Sequence, residues 1–369
     1  PLRLGRGSAP VERRLPFALK EPILAVGAQM KNTVALAWDN RVVVSPHLGD
    51  LESPAGADHF RRMIDELQRL YRVTPARVVC DAHPAFASTH FAHEMGLPVT
   101  RVQHHRAHAS GLAGEYGCDH DWLVIAWDGL GYGDDGLAWG GESFVGRPGN
   151  WSRFSTIHPL RIPGANRAAL EPWRSALACR LETDPSSPFT DPARELARQA
   201  WLKGMNTGTS YSMGRLFDAA AALCGLLDKA SFDGQAPLWL EAASDDSRRW
   251  IELPWAAGED VPWQLDWQPL IPVMANEQLA VATRAAIFHN SLVEAIRSLA
   301  NHAWEAHGIQ RVGLTGGVFQ NRRLAEAAVE HLERDGFQTA LPEQIPVNDA
   351  GISFGQIIEA AHLTGILIR

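Results

Sequence analysis

The sequence predicts a two-lobed α/β protein with a ligand cleft between the lobes. Its 369 residues, of which 46% are hydrophobic, are enough to bury a large core, and this length favours two lobes over one. Short β-type segments alternate with helical segments in the order β-β-β-α-β-α-β-α, and a similar order recurs later in the chain. Two copies of one such order indicate two similar units that enclose a cleft.

The first lobe is predicted over residues 22–118. It follows an N-terminal arm, residues 1–21, which is rich in Arg, Pro and Gly and lacks periodicity. The C-terminal helix, within residues 352–369, is expected to pack back on this lobe. Three β-type runs are predicted at residues 23–28, 33–38 and 41–45, followed by an amphipathic helix at 59–71. A buried strand at 77–80, a helix at 88–95, a strand at 99–103 and a helix from His104 onward complete this lobe.

The second lobe is predicted over residues 119–351, with a mixed insertion at about residues 160–285. The repeated order describes the actin-like ATPase architecture of sugar kinases and 70-kDa chaperones, in which a nucleotide lies between the lobes. The elements of this lobe are five strands at residues 122–127, 137–145, 153–158, 311–314 and 338–341, and a helix at residues 323–334.

Composition excludes several classes of protein. The net charge is −8 and the 34 Lys and Arg are scattered, so we expect no nucleic-acid partner. The four cysteines form no C-x-x-C pair, which predicts reduced thiols in a cytoplasmic protein rather than a zinc ribbon. No apolar run reaches the roughly 18 residues of a membrane span, so no membrane association is expected. Because the chain begins at Pro1, it is interpreted as a piece of a longer protein or a trimmed one.

A histidine pair is the strongest chemical signal. His104 and His108 stand at i and i+4 at the start of a predicted helix, so their imidazoles lie on one face about 6 Å apart and suit a shared divalent ion. A chance H-x-x-x-H is the alternative, because the chain has 15 histidines. His105 points elsewhere on the helix, and we expect it to be solvated or to contact a substrate.

Two aspartates strengthen the prediction of a metal site. Asp128 ends a hydrophobic strand and opens a glycine-rich turn, where ligand sites of α/β proteins lie, although such a residue can also cap a backbone amide. Asp349 precedes the last helix, where an N-cap role is the alternative. Two His and two Asp suit Fe(II), Zn(II) or Mn(II) better than Mg(II). An iron oxygenase with two His and one carboxylate remains a rival interpretation.

Glycine-rich turns in the second half are candidates for holding phosphate. None is a Walker A loop, so phosphate would be held by backbone N–H groups of the turns and by helix N-termini. Lys31, between the first two strands, and Arg215, at the start of an apolar helix, could contact an anion, although both could equally be solvated. The other candidates for nucleotide or substrate binding are Gly129, Gly131, Gly141, Glu142, Asp233, Gly316, Gly317, Asn321 and Asn348.

Seven collinear segments give the sequence a resemblance to a known family. They are GAQMKNT (27–33), VQHHRAH (102–108), DGLGYGDDGLAWGGE (128–142), EPWRSA (171–176), SMGRLFD (212–218), TGGVFQN (315–321) and NDAGISFGQ (348–356). Together they resemble the C-terminal module of the HypF family of [NiFe]-hydrogenase maturation proteins, which is similar to tRNA threonylcarbamoyl-transfer ATPases. The resemblance spans roughly residues 3 to 360.

The resemblance implies a carbamoyltransferase. A metal, Fe or Zn, would be bound at His104, His108, Asp128 and Asp349, and ATP or carbamoyl-adenylate, with Mg as an accompanying ion, would lie between the lobes. The carbamoyl group would come from carbamoyl phosphate and pass to the C-terminal cysteine of HypE, for the cyanide ligands of the hydrogenase iron.

The sequence also departs from the family pattern. The acylphosphatase, zinc-finger and YrdC-like domains of the full-length family are absent from the 369 residues, so we expect a short form or an excised module. Ala350 stands where Gly is usual, and Asp233 and Trp239 stand where Glu is usual. Three alternatives remain open: a stand-alone enzyme that hydrolyses carbamoyl phosphate, a non-catalytic scaffold that binds HypE or a nucleotide, and a sugar kinase of the same architecture.

Overall fold

Two β-sheets organise the computed structural model, which describes residues 10–164, 167–258 and 260–368. The strands are β1 Val11–Arg14, β2 Ala18–Leu19, β3 Ile23–Ala25, β4 Ala35–Trp38, β5 Arg41–Val44, β6 Arg77–Asp81, β7 Val99–Val102, β8 Trp122–Tyr132, β9 Ala138–Arg147, β10 Asn150–Ile157, β11 Leu160–Pro163, β12 Thr207–Tyr211, β13 Trp255–Ala256, β14 Trp263–Leu265, β15 Arg311–Thr315, β16 Gln338–Ala340 and β17 Leu367–Ile368. The helices are α1 Pro54–Tyr71, α2 Ala87–Glu94, α3 His104–Tyr116, α4 Pro172–Thr183, α5 Pro192–Leu202, α6 Met213–Leu223, α7 Gln235–Ala243, α8 Leu270–Met274, α9 Val281–His307, α10 Arg322–Arg334 and α11 Ile352–Leu363.

The first sheet has the strand order β1-β5-β4-β3-β6-β7. Strand β3 pairs antiparallel with β4 and parallel with β6, so it stands where the hairpin half of the sheet meets the parallel half. Its side chains alternate between two buried faces. Ile23 packs in the cluster that contains α11, whereas Leu24 packs with Phe60 and Ile64 of α1. Period-two alternation buried on both sides explains why this strand is apolar throughout.

The second sheet repeats the same topology. Its central order β10-β9-β8-β15-β16 matches β5-β4-β3-β6-β7, because β8 pairs antiparallel with β9 and parallel with β15. The predicted insertion adds four strands to this sheet: β12 pairs with β9 and β11, and β14 pairs with β10 and β13. The largest hydrophobic cluster joins these strands to α4, α6 and α9. The α/β class and the repeated strand order predicted from the sequence are therefore observed.

Helices α3 and α11 pack against each other, and each also packs on a sheet. Helix α3 contacts β8, β9 and β15, whereas α11 contacts β3, β4, β6 and β7. A buried polar network joins the pair to the second sheet: Ser110 of α3 and the backbone N–H of Gly149 both donate to Glu359 of α11, at 2.6 and 2.8 Å. None of the helices in the described ranges combines the length and the apolar character that crossing a bilayer requires.

Two parts of the structure differ from the sequence prediction. The predicted arm contributes β1 to the edge of the first sheet and β2 to a small sheet with β17, while residues 1–9 lie outside the described residues. The sequence does not predict β1 because three of its four residues, Val11 to Arg14, are polar and the strand lies on a half-exposed edge. Strand β8 does not end at Asp128 but continues to Tyr132, with an irregular register between Trp127 and Gly131.

Candidate metal and anion site

The start of α3 places two imidazoles on one face. Gln103 is the N-cap, and its side-chain oxygen accepts a hydrogen bond of 2.9 Å from the backbone N–H of Arg106. The helix therefore begins at His104, and His108 follows one turn later with its ring centroid 5.1 Å away. Both side chains are buried.

Asp128 is held between backbone amides and the two imidazoles. Its Oδ1 accepts hydrogen bonds from the backbone N–H of Gly129 at 2.8 Å and of Gly317 at 3.1 Å. Its Oδ2 lies 3.4 Å from Nε2 of His104 and 3.2 Å from Nε2 of His108. The irregular pairing of β8 at this point leaves the carboxylate free to turn toward α3.

Asp349 lies in the 3₁₀ turn Asp349–Gly351, immediately before α11. Its Oδ1 is 3.9 Å from Nε2 of His104 and 3.8 Å from Nε2 of His108. That oxygen is buried and has no hydrogen-bond partner among the residues that the structure describes. A buried carboxylate oxygen that has no hydrogen bond and faces two imidazoles fits a bound cation.

These four side chains fit a divalent metal ion. One ligand atom from each of His104, His108, Asp128 and Asp349 lies within 4.8 Å of all the others. For bonds of about 2.1 Å, the ligand atoms of a tetrahedral site stand about 3.4 Å apart, close to the shorter distances found here. Two imidazoles and two carboxylates suit Fe(II), Zn(II) or Mn(II) better than Mg(II). The sequence-predicted ligands are thus brought to one point.

In the metal-free chain, protons compensate the charge of the carboxylates. Burial alone would lower the pKa of His104, but Asp81 and Asp128 raise that pKa well above its ordinary value. Burial would likewise lower the pKa of His108, which the carboxylates of Asp128 and Asp349 raise. Burial would raise the pKa of Asp128, but hydrogen bonds with both imidazoles keep it well below its usual range. The site therefore favours positive charge, whether carried by protons or by a metal ion.

Asp81 is a functional residue that the sequence prediction missed. It is buried at the end of β6, and its Oδ2 lies 2.7 Å from Nδ1 of His104. A carboxylate on the far nitrogen of a metal-binding histidine fixes the tautomer and the orientation of the ring. Its signal was available, because Asp81 follows the buried strand at residues 77–80, at the same kind of strand end that drew attention to Asp128.

Replacing Asp81 with Asn is expected to weaken Zn²⁺ binding by about 10- to 100-fold while the protein stays folded. The amide keeps the size of the side chain but removes the charge that orients His104. Competition with a chromogenic chelator measures the change. The control is Asp119→Asn, because the side chain of Asp119 is 85% exposed. Equal Zn²⁺ affinity in both variants would show that Asp81 has no such role.

Two cations lie beside the metal ligands. Lys31 occupies the turn between β3 and β4 with φ of 50°, and the carboxylate of Asp349 raises its pKa against the burial that lowers it, with further contributions from Asp128 and Asp233. Arg215 lies in the first turn of α6, where its Nη2 is 3.0 Å from Asp233 and its Nη1 is 2.9 Å from Asp218. Burial raises the pKa of Asp218 to about 7.

The glycine-rich turns have structural contacts beside their predicted role in holding phosphate. The N–H groups of Gly129 and Gly317 are directed at Asp128 rather than at solvent. Gly316 has φ of 95°, and a Cβ there would lie 2.2 Å from the carbonyl oxygen of Trp127. A Cβ on Gly131 would meet the rings of His104 and His105, and one on Gly141 would meet Ile157 and Tyr211. These glycines therefore allow close packing around the metal ligands.

Three predicted nucleotide ligands are occupied by structural contacts. Glu142 is fully buried and accepts hydrogen bonds from Arg153 and Thr156. Asn321 is the N-cap of α10 and also bonds to His289. Asn348 caps the turn that contains Asp349, and its amide donates to Gln320. These contacts give each side chain a structural role, and nucleotide binding by Glu142, Asn321 and Asn348 stays a prediction.

His105 is fully buried, so the first of its two predicted alternatives, solvation, is wrong, whereas contact with a substrate stays a prediction. Its Nδ1 lies 3.2 Å from the amide of Gln103, and its Nε2 has no hydrogen-bond partner within the described ranges. Burial lowers its pKa well below the ordinary value, and the neighbouring His104 adds to this effect. His105 is therefore a neutral residue packed behind the metal ligands.

Two family models match the chain. One, described as "HypF Kae1-like domain", matches residues 18–115, and the other, "Carbamoyltransferase, Kae1-like Domain, second subdomain", matches residues 124–356. The matches cover most of each sheet. All four candidate metal ligands fall within the two matched regions.

Proteins from several organisms are similar to this chain. "Carbamoyltransferase HypF" of Synechocystis sp. is 37% identical over 97% of the chain and 49% of its own length. "Carbamoyltransferase HypF homolog" of Cupriavidus necator is 34% identical over 92% of the chain and 91% of its own length. The chain thus spans about half of the first relative and nearly all of the second.

Solved structures agree with the sequence relatives. A crystal structure of full-length HypF in the phosphate- and nucleotide-bound form superposes with a TM-score of 0.91 at 32% identity, over 97% of this chain and 48% of that one. The HypF of T. kodakarensis has the same fold, with a TM-score of 0.86 at 23% identity over 99% of this chain and 50% of that one. Because family models match most of its length and a relative of similar length is 34% identical, the chain belongs to the HypF family.

Proposed function

We propose that this chain is a carbamoyltransferase of [NiFe]-hydrogenase maturation, which moves a carbamoyl group from carbamoyl phosphate or carbamoyl-adenylate to the C-terminal cysteine thiol of HypE. The observation that carries the proposal is the convergence of two imidazoles and two carboxylates within 4.8 Å, with two cations beside them. Its relatives are named carbamoyltransferases, which supports the same reaction class.

The repeated sheets support an actin-like ATPase fold with the reaction site between its two lobes. The lobes would be residues 22–118, joined by the C-terminal residues 352–369, and residues 119–351, with the insertion at about 160–285. The candidate metal ligands come from both sides of this division: α3 on one side, and β8 and the turn before α11 on the other. The ligands of such a site come together only when the two lobes are closed.

The metal would be held by His104, His108, Asp128 and Asp349, with Fe or Zn as the candidates. A divalent ion there supplies Lewis-acid polarisation of a carbamoyl carbonyl or a phosphate oxygen. Asp81 orients His104, and the amides of Gly129 and Gly317 orient Asp128. These contacts fix the ligand geometry before substrate arrives.

The anionic part of the substrate would be held by Lys31 and Arg215. The N–H groups of Gly129 and Gly317 are already bonded to Asp128, which favours the two side-chain cations as donors to the anion. Because Arg215 is paired with Asp218 and Asp233, a nucleotide carrying Mg²⁺ suits this region better than a bare one. The HypE thiolate would form a C–S bond to the carbamoyl carbon, and the C–O bond to phosphate or AMP would break.

The test measures phosphate release from carbamoyl phosphate and AMP release from ATP, in reactions with and without ATP, together with thiocarbamate formation on HypE. Supplying carbamoyl-adenylate directly should yield AMP and carbamoylated HypE. Arg215→Gln is expected to lower turnover by about 10- to 100-fold, because it removes a charge-assisted contact. Arg322→Gln is the matched control, since the Arg322 side chain is 81% exposed on α10.

Each alternative function gives a different outcome in this assay. Phosphate release without an acceptor would indicate a carbamoyl phosphate hydrolase, and binding without release would indicate a scaffold. Phosphorylation of a sugar would indicate a kinase. We propose the cytoplasm as the compartment, in keeping with four buried cysteines that are all unpaired.

A further inference from the structure

Helix α3 carries His104 and His108, and helix α11 follows Asp349. The two helices cross at a backbone contact. Gly355 of α11 faces Ala107 of α3, which lies between His104 and His108. A Cβ built on Gly355 would stand 1.8 Å from the carbonyl oxygen of Ala107 and 2.7 Å from its carbonyl carbon. No side chain fits there unless the helices separate, because the obstacle is backbone.

The crossing tolerates added volume differently along its length. A Cβ on Gly111, one turn beyond Ala107, would lie 3.5 Å from Cα of Gly355, an ordinary van der Waals distance. At the end remote from the metal ligands, a Cβ on Gly114 would meet the side chains of Ile358 at 2.8 Å and Phe354 at 3.0 Å. The tightest backbone contact is therefore the one nearest the imidazoles.

Helix α11 is fixed on its other side to the first sheet. The backbone N–H of Gly27 donates to Gln356 at 2.9 Å, and Thr33 Oγ1 donates to the carbonyl oxygen of Ala350 at 2.8 Å. Thr33 Oγ1 is also 2.7 Å from the hydroxyl of Ser353. Because these contacts restrain the start of α11, added volume at Gly355 would move α3 and its imidazoles away from Asp349.

We propose that Gly355 is a positioning residue that sets the distance between Asp349 and the His104–His108 pair, and thereby the affinity of the metal site. Asp349 is the ligand farthest from the imidazoles, at 3.8 to 3.9 Å, so its contribution is the most sensitive to helix separation. The inference rests on the metal site of the proposed function and adds to it a residue that touches neither metal nor substrate.

The test is Co²⁺ binding to the full chain, measured by chelator competition and by the visible absorption of the bound ion. Gly355→Ala is expected to raise the dissociation constant by about 10- to 100-fold and to change the Co²⁺ spectrum. Alanine has a higher helix propensity than glycine, so the substitution by itself favours helix α11. A loss of Co²⁺ affinity therefore could not be explained by a weakened helix. Gly111→Ala, on the same crossing, is expected to bind within about threefold of the unaltered chain.

A double-substitution cycle separates positioning from general damage. In an Asp349→Ala background, Gly355→Ala should have little further effect on Co²⁺ affinity, because the ligand through which it acts is already gone. Gly114→Ala should lower the melting temperature with an unchanged Co²⁺ spectrum. If Gly355→Ala does not accumulate as folded protein, Gly111→Val provides a milder separation and should give an intermediate loss of affinity.

The outcomes distinguish this inference from the proposed function. If the unaltered chain binds no Co²⁺, the metal site itself is rejected. If it binds Co²⁺ and Gly355→Ala binds equally well, or if Gly355→Ala and Asp349→Ala act additively, only the positioning role is overturned.

Discussion

Replacing Asp128 with Asn is expected to weaken binding of Zn²⁺ or Fe²⁺ by more than about 100-fold, beyond the effect of removing an outer support such as Asp81. The Oδ2 atom of Asp128 is the oxygen nearest to both imidazole Nε2 atoms, at 3.2 and 3.4 Å. The amide can still accept from Gly129 and Gly317 through its oxygen, so the turn stays in place while the anionic ligand is lost. Elemental analysis and chelator competition measure the change.

The matched control for Asp128→Asn is Asp134→Asn. Asp134 lies on the same β8–β9 hairpin and pairs with Arg106 at the surface, where its side chain is 50% exposed. This variant should keep full metal content and turnover. A stoichiometric, tightly bound metal in Asp128→Asn would remove Asp128 from the ligand set and leave the two histidines and Asp349 as the candidate site.

Metal affinity is expected to rise steeply with pH, by up to about 100-fold per unit through the neutral range. The pKa values of His104 and His108 are raised, so the metal-free site holds protons there that an entering ion must displace. Two displaced protons give a slope of two in the logarithm of affinity. Competition titrations at several pH values measure it, and His104→Gln should reduce the slope to about one.

The stability of the metal-free chain should change in the opposite direction. Because the folded-state pKa of each histidine is raised, its contribution to stability is fully present below the ordinary value of about 6.5 and is lost as the pH rises through the folded value. The control for the pH dependence of metal affinity is His331→Asn, on α10, which should leave the slope of metal affinity against pH unchanged. A metal affinity independent of pH in this range would contradict the assignment of both imidazoles.

The fold was largely predictable because its strands and helices carry strong local patterns. Residues 23–28 and 33–38 contain β3 and β4, and the apolar stripe at residues 59–71 lies within α1. What local pattern could not predict was β1, whose position depends on pairing with β5, and the continuation of β8 past Asp128. Both depend on pairing with another strand, which is distant in sequence for β1 and adjacent for β8.

The candidate site, like the fold, was predictable only in part. The spacing of His104 and His108 is a local property of a helix, so the pair could be predicted. Asp81 stands at a predicted strand end, but its partner His104 lies in a separate element, so the contact between them follows only from the fold. Asn321, Asn348 and Glu142 belong to residue types that bind ligands or satisfy the fold, and their contacts within the fold were not predictable from the sequence.

The order of the metal ligands along the chain has a consequence for synthesis. Synthesis passes His104 and His108 first and Asp128 soon after, but it reaches Asp349 only just before α11, after the whole insertion has been made. Under the proposed ligand assignment, a nascent chain would complete the coordination sphere only when α11 has docked on α3. An ion captured before that point would be held by an incomplete set of ligands.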